Sequence, residues 1–330
     1  MAKAVFLAHK PHLLTAYPPD SRQEIASLWE IAGEDIEGEK WRDSVASLQD
    51  AEAIFSTWGM PRLDADFLAA APRLKAVFYG AGSVKGFVTE EAQKRDLIVC
   101  SSWQANAIPV AEYSLATILL SMKRFWHHMR KSPAEKHSDH NMPCPGNFRS
   151  KVGLVSLGAI GRDVARRLKS FELKVLAHDP FFPAEKAADL GVELVSLETI
   201  FSDCDVVSLH LPWLPSTEGM INRNLISSMK EGATLINTAR GAVISEPDLC
   251  EVLQERPDLT AILDVTHPEP PLADSPLRVL PNVLITPHIA GSRSGEIARM
   301  GQWMIDESRR YLKNEPLHYQ VPLDKLESLA

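Results

Sequence analysis

Lys151–Arg162 reads KVGLVSLGAIGR. A valine- and leucine-rich run leads into two glycines, Gly158 and Gly161, and a helical segment, Ile160–Lys169, follows. That is the pattern of a strand entering a helix through a glycine-rich turn. In a dinucleotide-binding turn, one glycine allows the tight exit from the strand. A second lets the backbone approach the pyrophosphate, and a third lets helix and strand pack closely. Gly158 and Gly161 can fill the second and third roles, but Ser156 stands where the first glycine belongs. A serine is expected to make that turn only if its φ stays negative. By itself the stretch suits a ligand-free βαβ turn as well as a cofactor turn.

Asp179 shifts the balance. It lies 18 residues after Gly161, at the end of the next strand-like run, KVLAH. An acidic residue there meets the adenosine ribose hydroxyls and repels a 2′-phosphate, so NAD is expected over NADP.

Around this turn the chain alternates short apolar runs with helical segments. VGLVSL, KVLAH, DVVSLHL, ATLINT, TAILDV and VLITP are β-branched or leucine-rich. Continuous apolar strands separated by helices imply a parallel sheet covered on both faces, an α/β doubly wound domain. The first hundred residues show a second alternation, AVFLAH, AEAIFSTW, LKAVFYG and LIVCSS against SRQEIASLWEIAGE and EEAQKR. A long helix is expected from about Ile108 to Met129, opened by Pro109 and free of internal breakers. NMPCPG, at Asn141–Gly146, cannot be helical. EIARMGQWMIDESRRYL, from about Gly295, is helical again, and the tail after it can pack with either domain. At 330 residues two domains are expected.

Three polar residues follow three of these runs, in INTARGAVI, LDVTHPEPP and LITPHIAG. Arg240, Glu269 and His288 thus fall at strand ends on one side of a parallel sheet, where open α/β sheets bind ligands. Each alone could be an ordinary turn or loop residue; together they form a set. A guanidinium offers a planar fork matched to a carboxylate and an adjacent carbonyl oxygen. An imidazole gives or takes a proton near neutrality, and a carboxylate on its other nitrogen fixes the tautomer. Joined to a nicotinamide, the set reduces a 2-keto acid.

Bulk composition narrows the class. Apolar residues make up 45% and charged residues 24%, which suits a globular protein with a real core. A formal net charge of −8 argues against nucleic acid as a partner. The longest apolar stretch, Val110–Met122, contains Glu112 and falls short of the roughly 20 residues needed to span a membrane. The apolar run in MAKAVFLAHK is too short for a secretion signal. Cys100, Cys144, Cys204 and Cys250 show no C-x-x-C spacing, so a reduced cytoplasmic setting is expected. His127, His128, His137 and His140 cross a helix end and a proline-bearing loop without ligand register, so no metal is expected. Trp103, Trp126, Trp213 and Trp303 read as core or interface anchors.

Taken together, VAEYSLATILL, VGLVSLGAIGR, VVSLHLPWLPSTEGMI, MKEGATLINTARGAVISEPDL and LDVTHPEPPLADSPLRVLPNVLITPHIAG resemble the D-isomer-specific 2-hydroxyacid dehydrogenases. The resemblance covers most of Val110–Gly291. It implies a Rossmann-like NAD-binding domain, residues 104–294, inserted into a smaller discontinuous flavodoxin-like α/β substrate domain, residues 1–103 and 295–330, with a cleft that closes on substrate. It further implies a homodimer, formed partly through the helix near Ile108, acting on a small 2-keto/2-hydroxy acid of the glyoxylate or hydroxypyruvate kind. By the same resemblance Arg240 binds substrate, Glu269 partners the histidine and His288 is the acid/base. Gly158, Ala159, Ile160 and Gly161 meet the pyrophosphate, with Asp179 at the ribose. His210, Leu211, Pro212 and Thr217 flank the adenosine side; Thr238, Ala239, Asp264 and Gly291 join Arg240 and His288 around the nicotinamide. Ala81 and Gly82, in FYGAGS, match the loop that holds the substrate carboxylate by N–H groups.

Some positions depart from the family pattern. Ser156 replaces a glycine, Val84 and Lys85 stand where many relatives carry aspartate and asparagine, and His267 replaces a common acidic residue. The link 131–150 is longer and bears proline and histidine. No counterpart of the regulatory domain of long phosphoglycerate dehydrogenases is expected, and so no feedback control of that kind. Two alternatives share the triad: an NAD(H)-sensing corepressor-like protein and a phosphite dehydrogenase-like enzyme. A formate dehydrogenase would place glutamine where Glu269 stands.

Overall fold

The structure, a computed structural model, describes residues 1–130 and 143–328. It divides into two compact units, Met1–Ala107 with Ser292–Leu329, and Ile108–Gly291. The boundary falls inside the helix Trp103–Ser121.

In the first unit the strands are β1 (Lys3–Ala8), β2 (Glu30–Ile31), β3 (Ile36–Glu37), β4 (Ala53–Ser56), β5 (Ala76–Tyr79) and β6 (Ile98–Ser101). They pair in parallel in the order β2-β1-β4-β5-β6, with β3 also on β1. β4 and β5 are buried throughout because each face carries its own core. One side packs Leu48, Leu63, Phe67 and Val77; the other packs Tyr17, Trp29, Phe55 and Phe78. The segment SRQEIASLWEIAGE is helical only as Pro19–Leu28. Glu30 and Ile31 leave the helix to extend the sheet beside β1, so pairing overrides the local helical pattern there.

The helix Gly295–Leu312 returns to this unit and buries Met300, Met304 and Ile305. Its Gly301 has no room for a side chain, because a Cβ would lie 1.9 Å from the Ala16 carbonyl oxygen. The tail joins the same unit: Ser101 N–H donates to Tyr319 O, and Val321 N–H to Val99 O.

In the second unit the strands are β7 (Phe148–Val155), β8 (Glu172–His178), β9 (Val192–Leu194), β10 (Val206–Leu209), β11 (Thr234–Asn237), β12 (Thr260–Leu263) and β13 (Val283–Ile285). All pair in parallel, in the order β13-β12-β11-β10-β7-β8-β9. The order reverses between β7 and β10, the switch point at which such sheets open a crevice for ligands. Both faces are covered. Phe201, Val207, Leu235 and Val252 fill one side, and Ile118, Leu154, Val164 and Ile236 the other. Because every strand runs the same way, all the turns after the strands gather along one edge.

The expected helix from Ile108 to Met129 is instead two helices, Trp103–Ser121 and Phe125–Arg130. Pro109 lies inside the first rather than opening it. The break comes where Arg124 takes a φ of +50°. Ser114, Thr117 and Ser121 also turn their hydroxyls onto carbonyls four residues back, which weakens the helix locally. Residues 143–146 form no helix. His137, His140 and the link 131–142 lie outside the described residues. No described helix is long and apolar enough to cross a membrane.

Candidate active site

The glycine-rich turn leaves β7 at Ser156, whose φ is +78°, opposite in sign to the expectation. A serine there sits in the left-handed region that favours glycine, at a cost of about 1–2 kcal/mol. Two features force it. Ser156 N–H donates to the His178 carbonyl at 2.8 Å, tying the turn to the end of β8. Gly161 also packs so tightly beneath that an added Cβ would lie 2.1 Å from the Ser156 carbonyl oxygen. Gly158 is the reverse case, since a Cβ there would meet nothing within 4 Å. The turn is therefore closed against its own helix and open outward, as a backbone approach to a pyrophosphate requires. The helix Ala159–Leu168 starts there with Gly158 as its cap, so Ala159, Ile160 and Gly161 bring the unpaired N–H groups of a first turn.

Asp179 follows β8 and faces this turn. Its Oδ2 accepts from Leu157 N–H at 2.8 Å and from Ser156 Oγ at 3.3 Å, and its Oδ1 from Phe181 N–H at 2.9 Å. After β10, His210 is buried beside Gly161. Its Nε2 lies 3.1 Å from Ser208 Oγ, and its Nδ1 is buried with no hydrogen-bond partner. Burial pushes its pKa down to about 4, so the ring is neutral. Leu211 is buried and Pro212 half-buried. The Thr217 hydroxyl donates to Pro212 O at 2.6 Å and accepts from Leu214 N–H at 2.9 Å, so it closes its own loop.

The residues expected to do chemistry come after β11, β12 and β13. Arg240 is anchored by Asn237, whose side chain donates to Arg240 O at 2.9 Å and accepts from Ala239 N–H at 3.0 Å. Its Nη1 donates to Ala239 O at 2.6 Å. Gly241 seats this turn on the next one, because a Cβ would lie 2.0 Å from the Thr266 carbonyl carbon. The crowding lowers the arginine's pKa, and the nearby Glu269 carboxylate opposes that shift. Arg240 stays cationic nonetheless. Thr238 is buried, with its hydroxyl 3.2 Å from that of Ser114.

His288 sits at a φ of +52°. Asp264, which is buried, fixes the turn. Its Oδ1 accepts from Thr286 Oγ1 at 2.6 Å and Ile289 N–H at 2.8 Å, and its Oδ2 from Ala290 N–H at 2.9 Å. His288 N–H itself donates to Asp264 O at 3.0 Å. So held, His288 Nδ1 lies 2.8 Å from Glu269 Oε1. Both side chains remain about half exposed, which leaves the Nε2 edge of the ring accessible. Asp264 thus acts as a clamp on the His288 turn, a role the expectation of a nicotinamide neighbour did not contain. Gly291 ends this turn half-buried.

In the first unit, Ala81 and Gly82 follow β5. The Ser101 hydroxyl engages both of their carbonyls, while their N–H groups find no acceptor among the described residues. Trp103 and Trp213 are exposed and not core anchors; Trp213 lies edge-on to His267, 5.0 Å between ring centres, and donates to Glu218. Trp126 and Trp303 pack partly buried against the cores. Asn237, Ser101 and Thr286 escaped sequence reasoning, because an amide or hydroxyl at a strand end carries no spacing signal. Among the described residues no group of histidine, cysteine and carboxylate side chains could hold a metal.

The family model of the D-isomer specific 2-hydroxyacid dehydrogenase NAD binding domain matches residues 115–290. D-3-phosphoglycerate dehydrogenase of Archaeoglobus fulgidus is 32% identical over 267 residues, covering 81% of this chain and 50% of that protein. The chain thus spans about half the length of the phosphoglycerate dehydrogenases it matches. (S)-sulfolactate dehydrogenase of Chromohalobacter salexigens is 34% identical over 252 residues, covering 76% of this chain and 82% of that one. In fold, the chain is similar to D-mandelate dehydrogenase of Rhodotorula graminis, with a TM-score of 0.80, 24% identity and 97% and 98% of the two chains covered.

Proposed function

Since the chain belongs to the D-isomer specific 2-hydroxyacid dehydrogenase family, we propose that it is an NAD-dependent oxidoreductase interconverting a small 2-keto acid and its D-2-hydroxy acid. The observation that carries this reading is the 2.8 Å contact between Glu269 Oε1 and His288 Nδ1, on a turn clamped by Asp264 and next to a cationic Arg240.

The residues divide the work. When bound, the reduced nicotinamide supplies a hydride to the keto carbon. Glu269 accepts a hydrogen bond from His288 Nδ1–H and leaves Nε2 as the atom that donates to the developing hydroxyl oxygen. Arg240 presents its fork to the substrate carboxylate and the keto oxygen, polarising the carbonyl. Ala81 and Gly82 offer N–H donors to a carboxylate. Gly158, Ala159, Ile160 and Gly161 receive the pyrophosphate at a helix N-terminus, and Asp179 receives the ribose. The four free cysteines suit a cytoplasmic setting, and a homodimer is the assembly this reading carries, measurable by light scattering.

The test is NADH oxidation with glyoxylate, hydroxypyruvate, pyruvate and bulkier 2-keto acids. Turnover with at least one is expected. No turnover across the panel would overturn the proposal, and tight NADH binding without turnover would favour a cofactor-sensing protein.

A further inference from the structure

A carboxylate offers about four acceptor positions. At Asp179 three are filled from within the chain: Leu157 N–H and Ser156 Oγ on Oδ2, and Phe181 N–H on Oδ1. The two backbone donors are fixed by the turn, at 2.8 and 2.9 Å. The serine bond is the longest, at 3.3 Å, and the one that comes from a rotatable side chain. It exists because Ser156 occupies a backbone conformation of positive φ that glycine would adopt without strain or hydroxyl. An incoming adenosine ribose brings two vicinal hydroxyls to a carboxylate with one position left.

We propose that the Ser156 hydroxyl competes with the adenosine ribose for Asp179, so that this residue sets a dinucleotide affinity below what the turn otherwise allows. The inference rests on the dehydrogenase reading and concerns the ribose end of the cofactor. Ser156 touches no reacting atom; it acts through Asp179. Two separable properties follow from one side chain. The hydroxyl weakens ribose binding, whereas the Cβ at positive φ weakens the fold. Alanine removes the first alone, and glycine removes both.

The experiment titrates NADH by nicotinamide fluorescence against the intact chain and its Ser156→Ala and Ser156→Gly variants, with Tm measured for each. Both variants should bind NADH about three- to tenfold more tightly, the worth of one hydrogen-bond position. Only Ser156→Gly should raise Tm. In an Asp179→Ala background, Ser156→Ala should no longer change the affinity, since the contested group is gone. Wild-type binding with no gain in Ser156→Ala overturns the inference and leaves the dehydrogenase reading standing. So does a gain confined to Ser156→Gly, which would make strain and not competition the cause. If none of the three binds NADH, the dehydrogenase reading falls and takes the inference with it.

Discussion

Two turns of the second sheet use one device with opposite outcomes. After β7, Ser156 takes a positive φ and an aspartate from the end of the neighbouring strand β8 accepts from the turn. After β13, His288 takes a positive φ and an aspartate from the end of the neighbouring strand β12 does the same. The difference lies in how deeply each aspartate is buried. Asp264 is buried, and three donors occupy both its oxygens. Asp179 likewise takes three donors on its two oxygens but is only half-buried. A clamp closed off from solvent holds a side chain for chemistry; one that reaches solvent can also meet a ligand.

The largest effect should come from His288→Ala, which removes the proton donor that the clamped turn exists to present. Turnover of the best keto acid should drop by about three orders of magnitude, while NADH affinity stays within about twofold. A matching collapse of NADH binding would mean that the two turns are not functionally separate. Next, Asp264→Ala leaves the Ile289 and Ala290 N–H groups without an acceptor beside a buried position. A loss of about 3 kcal/mol in unfolding free energy is expected by denaturant titration.

A pH series separates the turns in another way. His210, beside the Ser156 turn, is neutral when folded, with a pKa near 4 against an ordinary 6.5. As the pH falls the unfolded chain protonates first. This group's contribution is therefore complete above pH 6.5 and lost progressively toward pH 4, amounting to up to about 3 kcal/mol. A stability difference between pH 7 and pH 4.5 that does not shrink in His210→Asn would sink this account. The smallest effect on the fold belongs to Asp179→Ala, which should change stability by under about 1 kcal/mol but weaken NADH roughly tenfold. If Asp179→Ala destabilises as much as Asp264→Ala, the contrast between open and closed clamps fails.

Much of the second sheet was legible in the chain. Its strands are continuous apolar runs bounded by turns, and burial on both faces leaves them few alternatives. Arg240, Glu269 and His288 could be placed because each closely follows such a run, and position after a parallel strand decides the edge of the sheet. Less legible were the residues that make the set work. Asn237 reads as the last residue of a strand, yet it holds the backbone on both sides of Arg240's own peptide. Gly241 reads as a small turn residue, yet the backbone of Thr266 leaves no room for more. The helix break at Arg124 was missed because no glycine or proline marks it.

KVGLVSLGAIGR shows where the line falls. By itself the sequence determined a strand, a glycine-rich turn and a helix, with Asp179 at the distance of a ribose-binding carboxylate. Those are properties of periodicity and spacing, which are local. Only the tertiary structure decided the sign of φ at Ser156 and the direction of its hydroxyl. Local preference puts a serine at negative φ; the His178 carbonyl on one side and Gly161 pressed against the Ser156 carbonyl on the other leave it the left-handed region. Both constraints come from outside the turn, at the end of a neighbouring strand and on the face of the following helix, and a preference of about 1–2 kcal/mol cannot withstand them.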